Sequence, residues 1–252
     1  MKMNNIAKLN SKSFEAFPLN WDTKYFGIKS AKVVLNDSIS EVEQYEILDY
    51  CNKYDFVTIT NLGNINQNNI WIGEKTKAFL TDMNIQFVKP INKQSSIVDE
   101  FTNVYNSFPR NENILNIAQK AFLYSRFFND PYLPKEQARN IYVHWTECAF
   151  DKPEKYFVIV QRNGEIAGYL LFSMNLEYSF ATIELIAVDD KFRGQNIGKL
   201  LIAGLEFFAH EKGIKLIKVG TQVDNVLAIK FYNASGFQYV SINSVYHYWP
   251  NK

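Results

Sequence analysis

Ile183, Leu185, Ile186, Ala187 and Val188 form an apolar run of strand length that ends at Asp189-Asp190. A polar turn follows, Arg193-Gly194-Gln195-Asn196-Ile197-Gly198. Behind it Ile197, Leu200, Leu201, Leu205 and Phe208 recur at helical spacing. The pattern predicts a buried strand, a tight turn and a helix. At such a helix start, free backbone N–H groups and the positive end of the helix dipole converge on one point, which favours an anion.

The same reading extends along the chain. Residues 14–35 read as extended, with Ile28 to Leu35 a strand. Val42, Tyr45, Ile47, Leu48 and Cys51 predict a helix over Ser40–Lys53, with Ser38 or Ser40 as N-cap. Asp55–Thr60 predicts a strand, Asn61–Asn69 a polar loop, Gly73–Met83 a helix and Ile85–Val88 a strand. Residues 90 to 110 are rich in breakers and lack sustained periodicity, which places a boundary there. Two helices follow, one on Ile114, Ile117, Ala118, Ala121 and Phe122, the other opening at Pro134 with Ala138, Ile141, Tyr142, Trp145, Cys148 and Ala149 on its inner face. Tyr156–Gln161 and Ile166–Met174 form a hairpin around Asn163-Gly164, a type I′ signal. Beyond the turn helix come a strand Lys215–Gly220, a helix Asp224–Ser235 closed by Gly236, and a strand Phe237–Tyr246.

Composition narrows the classes. The chain has 252 residues, 47% of them hydrophobic, enough for one large domain or two small ones with real cores. A net charge of +1 argues against a nucleic-acid binder, which needs a strong basic face. Cys51 and Cys148 lie far apart, and His144, His210 and His247 are scattered, so no metal is expected. With no run of 18 apolar residues and no signal-peptide core near the N-terminus, no membrane segment is expected and a cytoplasmic protein is the default.

The turn lacks the Lys-Ser/Thr of a P-loop and the G-x-G-x-x-G of a dinucleotide fold. It resembles instead the acetyl-CoA loop R/Q-x-x-G-x-G/A of the GNAT N-acetyltransferases, with Arg193 first, Asn196 at the first glycine and Gly198 last. Asn196 is a departure, a mild one because Asn tolerates left-handed backbone better than other non-glycine residues. Asn225 to Phe237 resembles the family's N-x-x-A-x-x-x-Y-x-x-x-G-F segment, and the order α-α-β-β-β-α-β-α-β after residue 111 is the family's order. The segment Leu19–Gly27, with Trp21 and Phe26, and Ser125-Arg126-Phe127, Asp130, Tyr142 and Trp145 resemble sugar-nucleotide acetyltransferases related to TDP-fucosamine acetyltransferase.

The resemblance implies an α/β (α+β) GNAT fold, a mixed central sheet flanked by helices, after a smaller truncated GNAT-like α/β domain. The expected divisions are 1–95, a linker 96–110, and a complete acetyltransferase domain 111–252. It implies acetyl-CoA as co-substrate and a small-molecule amine, a dTDP-linked amino-deoxy sugar, as acceptor. The backbone from Arg193 through Gly194, Gln195, Asn196, Ile197, Gly198 and Lys199 would grip the pyrophosphate. Ile186, Ala187 and Val188 would pair with the pantetheine arm as an added strand, with an oxyanion-binding N–H near Leu185 to Ala187. Asn225 would contact that arm or cap its helix. Tyr232 sits where the family places its general acid. Glu184, of the same parity as Ile186 and Val188, is the candidate base, with ordered water or a neutral amine as alternatives. Trp21, Phe26, Arg126, Phe127, Tyr142 and Trp145 would stack a base or pair a diphosphate, or are core aromatics and a surface arginine. Other readings are a GNAT for another small amine or a protein N-terminus, and a non-catalytic acyl-CoA-binding domain. A homodimer is allowed.

Overall fold

The computed structural model describes residues 8–91, 100 and 102–252. In chain order the elements are β1 (Leu9–Asn10), β2 (Phe14–Pro18), α1 (Asn20–Phe26), β3 (Ser30–Leu35), α2 (Glu41–Cys51), β4 (Phe56–Asn61), α3 (Asn66–Lys75), β5 (Phe79–Pro90), β6 (Thr102–Asn106), α4 (Glu112–Ala121), α5 (Lys135–Ala149), β7 (Tyr156–Arg162), β8 (Glu165–Asn175), β9 (Phe180–Val188), α6 (Ile197–Glu211), β10 (Leu216–Gln222), α7 (Val226–Ala234) and β11 (Gln238–Tyr248). Short 3-10 turns lie at Leu62–Asn64 and Asp190–Phe192. Among the described residues no helix is long and apolar enough to cross a membrane.

The chain forms two compact units. Of the described residues, the first holds 8–85, Ser125–Ala138 and Ser241–Lys252, the second 86–91, 100, 102–124 and Arg139–Val240. These divisions differ from the sequential ones expected. Residues 102–106 of the expected linker are a strand, β6, paired antiparallel with β7 from Thr102↔Val160 to Asn106↔Tyr156. The breaker-rich flank misleads because alternation over so short a strand is weak. Residues 92–99 and 101, part of that flank, lie outside the described residues.

In the first unit β1, β2, β3, β4 and the end of β11 lie side by side. β2 is antiparallel to β3, β3 parallel to β4 with α2 as the crossover, and β11 antiparallel to β4. Phe14, Val33, Leu35, Ile47, Cys51, Val57, Ile59, Trp71 and Ile72 form its core. Three expectations change here. Asn20–Phe26 is helical, because Gly27 in the left-handed region (φ 69°) closes one turn-rich segment as a short helix. Val42 and Tyr45 are exposed, while α2 buries Ile47 and Cys51 as expected and Tyr50 with them. The Asn-rich loop is the start of α3, and Phe79 to Met83 belong to β5. Asn side chains there satisfy one another and the backbone, as in Asn61 Nδ2 to Asn69 Oδ1 (2.7 Å) and to the Ile65 carbonyl (2.9 Å), so polarity does not mark a loop.

In the second unit β10, β9, β8, β7 and β6 lie in that order, antiparallel except for the β10–β9 pair. The hairpin turn is as expected, Asn163 and Gly164 both having positive φ (53° and 79°). The hydrophobic stripe of α6 lies across β6 to β9. Leu201 and Leu205 are fully buried there with Val158, Leu170 and Ile217. Burial of such side chains, at about 1.5–3 kcal/mol each, is what holds the helix to the sheet.

Candidate functional site

The site is built where β9 hands the chain to α6. β9 pairs with β10 only from Phe180↔Leu216 to Ile183↔Val219. Against β8 it carries one extra residue: Leu171 faces Leu185 and Phe172 faces Ile183, leaving Glu184 as a bulge. A bulge bends and twists its strand. Past it, Leu185 to Val188 continue pairing with β8, beyond the end of the β9–β10 pairing at Ile183.

The turn that follows has the backbone an anion loop requires. Gly194 has φ 79° and Asn196 φ 59°, both left-handed, so asparagine fills the position of the family's glycine at the cost such a residue tolerates. Asn196 is also the N-cap of α6, yet among the described residues it makes no side-chain cap hydrogen bond. Its side chain therefore leaves the Ile197 and Gly198 N–H groups uncapped, while the Lys199 N–H donates to the Asn196 carbonyl at 3.0 Å. Gly198 is needed for a different reason: a Cβ there would stand 2.9 Å from the ring of Phe231. Arg193 is exposed and its guanidinium pairs with Asp190 at 2.6 Å.

These elements enclose a cavity of about 560 Å³ within the second unit. Ile186, Ala187 and Val188 of β9, Arg193, Gly194, Asn196, Ile197, Gly198 and Lys199 of the turn, and Asn225 and Tyr232 of the α7 region all line it. Of the residues expected to grip the co-substrate, Gln195 alone is outside this lining. It is exposed, with Nε2 near the Lys191 carbonyl (3.5 Å). Asn225 caps α7, its Oδ1 accepting from Ala228 N at 3.1 Å, so the capping alternative describes its carbonyl oxygen.

Tyr232 is buried (4% exposed) among Phe87, Phe231 and Phe237, with ring centroids 5.9, 5.4 and 5.4 Å away. Burial pushes its phenol pKa well above the ordinary value, so it holds its proton at neutral pH. Glu184 stands apart from the cavity lining. Its carboxylate accepts from Lys155 Nζ at 2.5 and 2.7 Å. The parity that would put it beside Ile186 and Val188 is broken by the bulge at Glu184 itself.

The six residues expected at the acceptor site divide between the units. In the first, Trp21 stacks on Tyr25 (5.0 Å), Phe26 packs against Phe127 (5.6 Å), and the Arg126 guanidinium lies 4.2 Å from the Phe127 ring centre. Phe26 and Phe127 are core. Arg126 also acts on Asp22, whose carboxyl is raised chiefly by burial, and on His247. In the second unit Tyr142 is buried, and Trp145 meets its ring edge-on at 5.3 Å.

Sequence reasoning missed part of the lining. Phe192, Leu227, Ala228 and Phe231 belong to it, and so do Ala121, Leu123 and Tyr124 after α4. Leu123 (70% exposed) and Leu227 (79%) are large apolar side chains left at the surface. In sequence neither belongs to an apolar stripe or fills a defined motif position.

Residues 114–237 match the acetyltransferase (GNAT) family. The chain carries a GNAT acetyltransferase domain. The spore coat polysaccharide biosynthesis protein SpsD of Bacillus subtilis (strain 168) is 32% identical over 142 residues, 56% of this chain and 48% of that protein. The dTDP-fucosamine acetyltransferase of Escherichia coli O6:H1 is 24% identical over 224 residues, 87% of this chain and 91% of that protein. This chain thus spans about half the length of the first relative and nearly all of the second. The GCN5-related N-acetyltransferase from Sphaerobacter thermophilus shares the fold, with a TM-score of 0.63 at 11% identity over 94% of this chain and 77% of that one. The cavity-lining turn and helices from Ile186 to Tyr232 all fall inside the GNAT domain.

Proposed function

We propose that the protein is an acetyl-CoA-dependent N-acetyltransferase that acetylates the amine of a dTDP-linked amino-deoxy sugar. The observation that carries the reaction is the cavity shared by a helix start without a side-chain cap, the end of β9 beyond its pairing with β10, and a buried tyrosine. The sugar-nucleotide acceptor is supported by relatedness to the dTDP-fucosamine acetyltransferase over 87% of the chain.

The residues suit the thioester substrate. The positive end of α6 and the Gly194, Asn196, Ile197 and Gly198 N–H groups match a pyrophosphate, while those of Arg193 and Gln195 turn to the Asp190 and Phe192 carbonyls (both 3.4 Å). Apolar Ile186, Val188, Phe192 and Phe231 match a pantetheine arm, and the backbone of Leu185 to Val188 matches its amides. In the reaction the neutral amine attacks the thioester carbonyl. A C–N bond forms, and a backbone N–H of the Leu185–Ala187 stretch stabilises the tetrahedral oxyanion. Collapse breaks the C–S bond, and the thiolate takes a proton from Tyr232, whose phenolate is returned to phenol by solvent as the nitrogen loses its proton to water. Burial raises the tyrosine pKa, and a thiol leaving within the same cavity is raised in the same sense. Glu184 is not needed as base, since the amine enters neutral or loses its proton through water.

The test is thiol release from acetyl-CoA against a panel of amino-sugar nucleotides, simple amines and peptides. Turnover confined to a dTDP-amino sugar is the expected result. Turnover with peptides or simple amines alone would replace the acceptor class.

A further inference from the structure

We infer that Tyr142 is a positioning residue for acyl-CoA binding: it pins the strap Ala121–Tyr124 that forms one wall of the cavity. The inference rests on the acyl-CoA reading of that cavity. α4 ends at Ala121, and Phe122 takes up extended backbone (φ −95°, ψ 100°), so the chain leaves the helix as a strap rather than continuing to coil. Ala121, Leu123 and Tyr124 line the cavity. Leu123 is 70% and Tyr124 39% exposed, so the strap has little packing of its own to hold it.

Tyr142 supplies the hold at two points. Its hydroxyl donates to the Tyr124 carbonyl at 3.0 Å. Its ring stacks on Phe122, with centroids 4.6 Å apart and planes 28° from parallel. Tyr142 is itself on a fixed support. One turn later on α5, the buried Thr146 hydroxyl donates to the Tyr142 carbonyl at 2.8 Å and lies 3.0 Å from the hydroxyl of the buried Tyr169 on β8. Position thus passes from β8 to α5, to the Tyr142 ring, to the strap and to the cavity. The sequence offers Tyr142 as an acceptor contact or a core aromatic; its contacts with the strap are both intramolecular. An exposed apolar wall that is pre-positioned spares a ligand the entropy of ordering it.

Tyr142→Phe removes the hydrogen bond and keeps the ring stack. With acetyl-CoA as the probe in calorimetry, its Kd is expected to rise about fivefold, the size a single neutral hydrogen bond carries. kcat at saturating acetyl-CoA should stay within about twofold and the melting temperature within a few degrees. Leu123→Ala should weaken binding on its own, and the double variant should lose less than the product of the two single effects, because both act through one strap. An unchanged Kd in Tyr142→Phe, or strictly multiplicative losses in the double variant, overturns the inference while the wild type still binds. A wild-type protein that does not bind acetyl-CoA overturns the acyl-CoA reading, and the inference with it.

Discussion

At the residue scale, Tyr232 and Asn196 carry the most testable chemistry. If Tyr232 protonates the departing thiolate, Tyr232→Phe keeps the ring packing against Phe87, Phe231 and Phe237 and removes the proton. kcat should fall by about 100-fold or more with KM for acetyl-CoA little changed, read by steady-state thiol release. An unchanged kcat would remove Tyr232 from the mechanism. Asn196 at φ 59° sits in backbone that glycine adopts freely and a β-branched residue resists. Asn196→Gly should melt within a degree or two of the wild type, and Asn196→Val should lose about 1–2 kcal/mol in denaturant titration. His247 makes a pH prediction. It is fully buried, its Nδ1 donates to Asp130 Oδ2 at 2.6 Å, and Trp249 Nε1 and the Tyr132 N–H also donate to that carboxylate, at 3.1 and 2.8 Å. Burial holds the His247 pKa below its ordinary 6.5, with the Arg126 charge acting in the same direction. Below that pH the unfolded chain binds a proton that the native state refuses, so stability falls as pH drops from 6.5 toward the lowered native value. The melting temperature should decline from pH 7 to pH 5, with a shallower decline in His247→Gln. A melting temperature that rises over that interval in the wild type would contradict this.

At the element scale, the local signals of the second unit were legible and those of the first were less so. The strand–turn–helix from Ile183 to Phe208, the Asn-Gly hairpin and the helix closed by Gly236 appear as read, because each has strong periodicity bounded by turn residues. The bulge at Glu184 was not legible. A bulge depends on the partner strand, and the continuous apolar run Leu185 to Val188 offers no alternation whose break could mark it. Among the acceptor candidates, Phe26 and Phe127 are core, which no spacing distinguishes from stacking surfaces. The contrast between two helix starts yields a prediction. β3, α2 and β4 repeat the parallel strand–helix–strand order of the cavity region. The α2 start, however, is closed by a capping box, Ser40 accepting from Glu43 N and Glu43 accepting from Ser40 N at 2.9 Å. Ser11 also donates to the Glu43 carboxylate, and these donors hold its pKa down to about 2. A carboxylate already sits where an anion would dock. Titration calorimetry should therefore give one acetyl-CoA per chain, and two equivalent sites would show that the capping box does not exclude the ligand.

At the scale of the whole molecule, the GNAT domain was legible from two motifs in order and spacing, and the family match covers the same residues. The division into units was not legible, because the first unit recruits residues 125–138 and 241–252 from later in the chain, and sequence-local composition carries no record of such returns. The central claim, direct acetyl transfer within the GNAT domain to a sugar-nucleotide amine, is tested most directly by following the label in a single turnover. Wild-type protein is mixed with radiolabelled acetyl-CoA, with and without a dTDP-amino sugar, quenched in acid and separated. The account predicts label in the nucleotide sugar when the acceptor is present, and none on the precipitated protein in either case. Label retained on the protein, or none transferred to any amino-sugar nucleotide, would contradict it.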